Sequence, residues 1–81
     1  MHLTLYTRPG CHLCDDLKTT LLRIRPQQAF ELSEVDISRE PALERRYGRA
    51  IPVLLIDGVE AARHRIAETD LRRRLEQKQS G

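Results

Sequence analysis

At 81 residues the chain is expected to be a single domain, 1–81, with a marginal core and no room for a second. Fourteen Lys and Arg against twelve Asp and Glu leave a formal charge of +2, and two Tyr, one Phe and no Trp do not make the basic, aromatic-rich signature of a nucleic-acid binder. No apolar run approaches a membrane span, and Met1-His2-Leu3-Thr4 has neither the basic nor the apolar region of a secretory signal, so a cytoplasmic protein without membrane or nucleic-acid partners is expected.

Leu3-Thr4-Leu5-Tyr6 alternates apolar and polar residues ahead of Pro9-Gly10, which predicts a strand over residues 2–6. The period then changes. Cys14, Leu17, Leu21 and Ile24 share one face of a helix running from Cys11 or His12 to Arg25, with Asp15, Asp16, Thr19 and Arg23 on the other face and Pro26 as the stop. Gln27 and Gln28 connect to a second strand near Phe30 to Val35, anchored by Phe30, Leu32 and Val35.

Asp36 or Ser38 can accept from the free amides of a following helix whose first turn takes Pro41. Leu43 and Tyr47 face inward from it, and Gly48 is expected to end it in the left-handed conformation. Ile51-Pro52-Val53-Leu54-Leu55-Ile56 is the most hydrophobic run and predicts a central strand buried on both faces. Asp57-Gly58 turns the chain into a last strand around Val59 to Ala62. A final helix from about Ala67 to Thr69 onward brings Ile66, Leu71 and Leu75 to the sheet, with fraying expected over Gln77 to Gly81. Arg63, Arg65, Arg72, Arg73 and Arg74 crowd this part and read as a solvated face open to anionic partners.

The order β-α-β-α-β-β-α pairs the first two strands in parallel and the last two as a hairpin, giving an α/β mixed four-stranded sheet flanked by three helices. Both cysteines stand where the first strand gives way to the first helix. In a reducing compartment two cysteines at this spacing point to catalysis or metal binding rather than a structural staple. Cys11 at the helix N-terminus meets unpaired amides and the positive end of the helix dipole, so its thiol pKa is lowered and it attacks; Cys14, one turn in on the core face, resolves. Arg8 and a protonated His12 would favour the thiolate and Asp15 and Asp16 would oppose it; the alternative for Arg8 and for His12 is a side chain that simply faces water. Pro52 opens a strand that should be central, where proline needs a special backbone position; a cis peptide, leaving the Ile51 backbone free for a bound peptide, and an ordinary trans proline are both compatible with that.

These stretches, Leu3 to Thr7, Cys11-His12-Leu13-Cys14, Val35-Asp36-Ile37, Tyr47-Gly48, Ile51-Pro52-Val53 and Asp57-Gly58, resemble in order the glutaredoxin-like proteins of the thioredoxin superfamily, closer to the divergent bacterial type. The resemblance implies a thioredoxin fold, dithiol-disulfide oxidoreductase activity, Cys11 as attacking and Cys14 as resolving cysteine, and Pro52 as the cis-proline. With the residue-level reading of His12 and Ile51, Arg8, His12, Ile51 and Pro52 are the expected substrate contacts. Glutaredoxins generally carry Pro-Tyr between the cysteines, and a Gly-Gly with an acidic turn after the hairpin; this chain has His12-Leu13 and Ala61-Ala62-Arg63-His64-Arg65-Ile66. Glutathione therefore enters only as a candidate co-substrate, with Arg8 and either Arg63 or Arg65 as anion contacts, and no bound cofactor is expected. The partner is a disulfide-containing protein or a small thiol, and the protein a monomer. Two alternatives stand beside the enzyme: a zinc or iron–sulfur module built on the cysteine pair, although His2, His12 and His64 form no ligand spacing, and a non-catalytic interaction domain.

Overall fold

Alternation along the strands and helical periodicity between them sort the apolar side chains into two cores, one on each side of a sheet. The computed structural model describes residues 1–26 and 29–80, so the Gln27-Gln28 connection and Gly81 lie outside the described residues. The elements are β1 (His2–Thr7), α1 (His12–Ile24), β2 (Glu31–Asp36), α2 (Pro41–Tyr47), β3 (Val53–Ile56), β4 (Val59–Arg63) and α3 (Glu68–Ser80). The sheet order is β2-β1-β3-β4; β1 runs parallel to β2 and antiparallel to β3, and β3 is antiparallel to β4. This is the mixed sheet with three helices that the element order implies. Among the described residues no helix is long and apolar enough to cross a membrane.

Leu3 and Leu5 of β1 and Leu54 and Ile56 of β3 point to one face, where they pack with Leu17, Leu21 and Ile24 of α1 and Leu71 and Leu75 of α3. Residues one step out of phase, Tyr6, Val53 and Leu55, meet Ile37, Leu43 and Tyr47 on the other face. The side-chain period of two thus gives β3 a core on both sides. Asp57 and Gly58, at φ 49° and 83°, make the tight turn that folds β4 back on it.

Four details differ from the sequence-based expectation. Phe30 is buried just ahead of β2 rather than within it. A short 3₁₀ turn, Ile37–Arg39, precedes α2; Asp36 caps that turn, while α2 begins with Pro41 and has no side-chain cap at Glu40. The last helix extends past Gln77 through Ser80, as Glu76, Gln77 and Lys78 favour helix, and the Gly81 end of the expected fraying segment lies outside the described residues.

Gly48 is the fourth. It sits at φ −54° and ψ −29°, in the right-handed region, so α2 does not end in a left-handed glycine. Its small size is what matters: a Cβ there would lie 2.5 Å from the Glu44 carbonyl oxygen and 3.1 Å from both the Arg8 guanidinium and the Glu44 carboxylate.

Candidate active site

The strand registers collect the site at one end of the sheet. Thr7 ends β1 opposite Asp36 of β2, Tyr6 pairs with Val53 at the start of β3, and Val53 pairs in turn with Arg63 at the end of β4. The loop carrying the cysteines therefore leaves the sheet beside the segment carrying Pro52 and beside the end of β4. The Ile51–Pro52 peptide is cis.

Cys11 is the N-cap of α1, with an extended backbone. Its carbonyl accepts the first helical bond from Asp15 N–H at 3.1 Å, and its sulfur accepts from Cys14 N–H at 3.2 Å. The Sγ thus occupies the position that a serine or aspartate oxygen takes at other helix starts, facing an amide that the helix leaves unpaired. The two cysteines form a disulfide with their Cα atoms 5.2 Å apart. They are unequal: Cys14 is 2% exposed within the core, and Cys11 is partly open to solvent. In the reduced form an anion on Cys11 would keep the same amide donor and gain from the dipole, and Cys14 lies one helical turn away.

The other predicted contacts fare differently. His12 is exposed in the first turn of α1. Arg8 is not turned to the sulfurs for charge compensation; its guanidinium is paired with Glu44 of α2 and donates to the Gly48 carbonyl at 3.3 Å. The Arg8 carbonyl accepts Cys11 N–H at 3.2 Å, so Arg8 ties the cysteine loop to α2. The Ile51 backbone is only partly free, because its N–H donates to the Tyr47 carbonyl at 3.2 Å. The cause is local: the chain leaving α2 keeps a helical turn, and Ala50 N–H is drawn to the same carbonyl at 2.8 Å.

Two residues escaped the sequence reading. Glu44 neutralises Arg8 from 36 positions away, a partnership that no local pattern announces. His64, at φ 67°, directs its N–H to the carbonyls of Ala50 at 3.0 Å and Pro52 at 2.7 Å, fastening the end of β4 to the proline segment. A positive φ at a non-glycine residue was the one unusual feature there, and it is visible only in the backbone. Arg63 is bound bidentately by Glu60 at 2.8 and 2.9 Å, which holds that carboxylate below its ordinary range. Beside Leu13 a groove of about 860 Å³ opens between the first turns of α1, the end of β4 and the start of α3, with Asp16, Ala62, His64, Arg65 and Ile66 among its walls.

Residues 2–76 match the family model described as Glutaredoxin-like domain (DUF836). The chain belongs to this family. Among relatives of the glutaredoxin-like domain, an uncharacterized protein of Mycobacterium tuberculosis is 29% identical over 73 residues, covering 84% of this chain and 75% of the relative. The X-ray structure of a structural-genomics target protein from X. campestris superposes with a TM-score of 0.80 at 37% identity, over 93% of this chain and 96% of that one. The solution structure of a protein from Nitrosomonas europaea gives 0.76 at 27%, over 90% and 88%. A mutant thioredoxin from Halobacterium salinarum gives 0.67 at 23%, over 94% and 72%, which shows that the domain has the thioredoxin fold. A glutaredoxin-like domain of thioredoxin fold with a Cys-X-X-Cys pair has the parts that thiol redox chemistry needs.

Proposed function

We propose that the protein is a dithiol-disulfide oxidoreductase, with Cys11 as nucleophile and Cys14 as resolving thiol. The observation that supports it most directly is the helix-capping position of the Cys11 sulfur, part-exposed and on an amide donor, with Cys14 buried against it. The Cys11 thiolate attacks a substrate disulfide and forms a mixed disulfide; the Cys14 thiolate then attacks Cys11 Sγ and expels the second substrate sulfur. Pro52 and the Ile51 carbonyl flank the incoming chain, and His12 lies beside the attacking sulfur. The substrate is a protein disulfide or a mixed disulfide with a small thiol, and a monomer in the reducing cytoplasm is part of the same reading. For the metal-binding alternative, no group of three or more His, Cys, Asp or Glu is gathered among the described residues.

Alkylation of the reduced protein across pH tests the assignment. Cys11 should titrate below the free-thiol value of about 8.5, Cys14→Ser should accumulate the mixed disulfide, and Cys11→Ser should abolish reduction of a model disulfide. A Cys11 pKa at or above about 8.5, with no reduction of bis(2-hydroxyethyl) disulfide, would overturn it.

A further inference from the structure

The sheet end that carries the cysteines also carries an uneven charge. His64 N–H, bonded to Ala50 and Pro52, joins the segment after β4 to the segment between α2 and β3. Arg46 and Arg49 belong to the second segment and its helix, Arg63 and Arg65 to the first, and all four are exposed. Arg46 lies over the Tyr47 ring, 5.2 Å from its centroid, and its charge reaches Glu60, as does that of Arg63. Glu60 is thus the carboxylate shared by this side.

Several cations elsewhere have carboxylate partners: Arg8 with Glu44, Lys18 with Glu34, Arg23 and Arg72 with Glu68, Arg73 with Asp70 at 3.9 Å. Four arginines against one carboxylate is therefore a local excess, on a chain whose net charge is only +2. Across the groove, Asp16 stands on the α1 wall and Asp70 with Arg74 on the α3 wall, so on that side the acidic groups outnumber the basic one.

We propose that this arginine surface makes the protein selective for disulfides carried on acidic polypeptide segments, whose Asp or Glu side chains dock on Arg46, Arg49, Arg63 and Arg65 while the disulfide meets Cys11. The inference rests on the redox reading. Guanidinium groups pair with carboxylates through two parallel hydrogen bonds, and an exposed charge excess accelerates encounter with an oppositely charged partner. The reaction needs no further reagent. The two protein thiols lose two electrons and two protons and become the Cys11–Cys14 disulfide, and the substrate disulfide leaves as two thiols.

The test is a single-turnover measurement with pre-reduced protein in excess. Three disulfide peptides identical except for Glu, Ser or Lys flanks are compared with bis(2-hydroxyethyl) disulfide, at about 20 mM and about 300 mM salt, where screening contracts to several ångströms. The Glu peptide should react about tenfold or more faster than the Lys peptide at low salt, and the ratio should collapse at high salt. Arg46→Glu/Arg49→Glu should invert the order and leave the hydroxyethyl disulfide rate unchanged. Peptide rates within about twofold of each other at both salts, with hydroxyethyl disulfide still reduced, would overturn acidic docking alone. A preference that survives the double variant unchanged would overturn this surface as its source. No reduction of any of the four would overturn the redox reading and this inference with it.

Discussion

Gly48 sits where the end of α2 closes on Arg8 and Glu44. Its missing side chain lets the Arg8 guanidinium reach the Gly48 carbonyl and Glu44 together, while one Glu44 oxygen, Oε2, stays buried without a partner. A methyl group at this position would press on the backbone carbonyl of Glu44, which cannot swing aside as a side-chain tip can. Gly48→Ala should therefore destabilise the domain by about 1–3 kcal/mol, the usual cost of overpacking, measured as a lower urea midpoint with an unchanged slope. Stability equal to or above that of the unaltered protein would show that the loop yields. Tyr47-Gly48 in the sequence announces a helix end correctly but gives the wrong reason for glycine, because what requires it is close approach to the Glu44 carbonyl, with Arg8 packed beside it, and not a left-handed backbone. His64 was illegible for a related reason: a backbone N–H donor can be supplied by almost any residue. The two cysteines, by contrast, were legible because helix start, spacing and apolar phase are all local.

The helices are held by one face each, and the consequences of substitution divide accordingly. Leu21 of α1 is fully buried between the sheet and α3, whereas its neighbour Leu22 is 47% exposed. Leu21→Ala should cost about 2–5 kcal/mol through lost burial and a residual cavity, and Leu22→Ala should stay within about 0.5 kcal/mol. Equal effects of the two, read from thermal or urea unfolding, would contradict the packing of α1. Strands and long helices were readable in advance because period two and period 3.6 are written in the side chains themselves. The 3₁₀ turn at Ile37–Arg39 was not, since three residues are too few to show a period; Asp36, whose carboxylate accepts from Ser38 N–H at 2.9 Å and Ser38 Oγ–H at 2.6 Å, caps this turn and not α2.

Over the whole molecule the arginines of the C-terminal part stay on the surface, where Arg63, Arg72 and Arg73 pair with carboxylates of their own elements, while the pair of Arg23 with Glu68 joins α1 to α3, a partnership that a sequence does not reveal because its members come from different elements. Glu68 at the start of α3 holds Arg72 on its own helix and Arg23 of α1, Glu60 holds Arg63, and Asp36 accepts from Ser38 near Arg39 and Arg8. Hydrogen bonding by Arg72 and Arg23, by Arg63 and by Ser38 lowers the carboxyl pKa of Glu68, Glu60 and Asp36 respectively. A carboxylate that is more acidic in the folded state binds fewer protons there than in the unfolded chain. Its stabilisation is complete above the ordinary carboxylate range of about pH 4–4.5 and is lost as the pH falls through the lower, folded value. Lys18, raised by its hydrogen bond and charge pairing with Glu34 at 2.6 Å, contributes in the opposite sense: its share is present below the ordinary lysine value and is lost as pH rises through the folded one. Stability measured by urea unfolding should thus be level near neutrality and decline below about pH 4. Glu68→Gln should flatten that acid limb, because it removes the carboxylate that bridges two helices, while Glu40→Gln, exposed ahead of α2 and without a side-chain capping bond, serves as the comparison. Added salt should lower the plateau and shrink the difference between the two variants, since these pairs are open to solvent and screened. An acid limb unchanged by Glu68→Gln would mean that the acid sensitivity lies with other carboxylates and that the brace between α1 and α3 contributes nothing measurable.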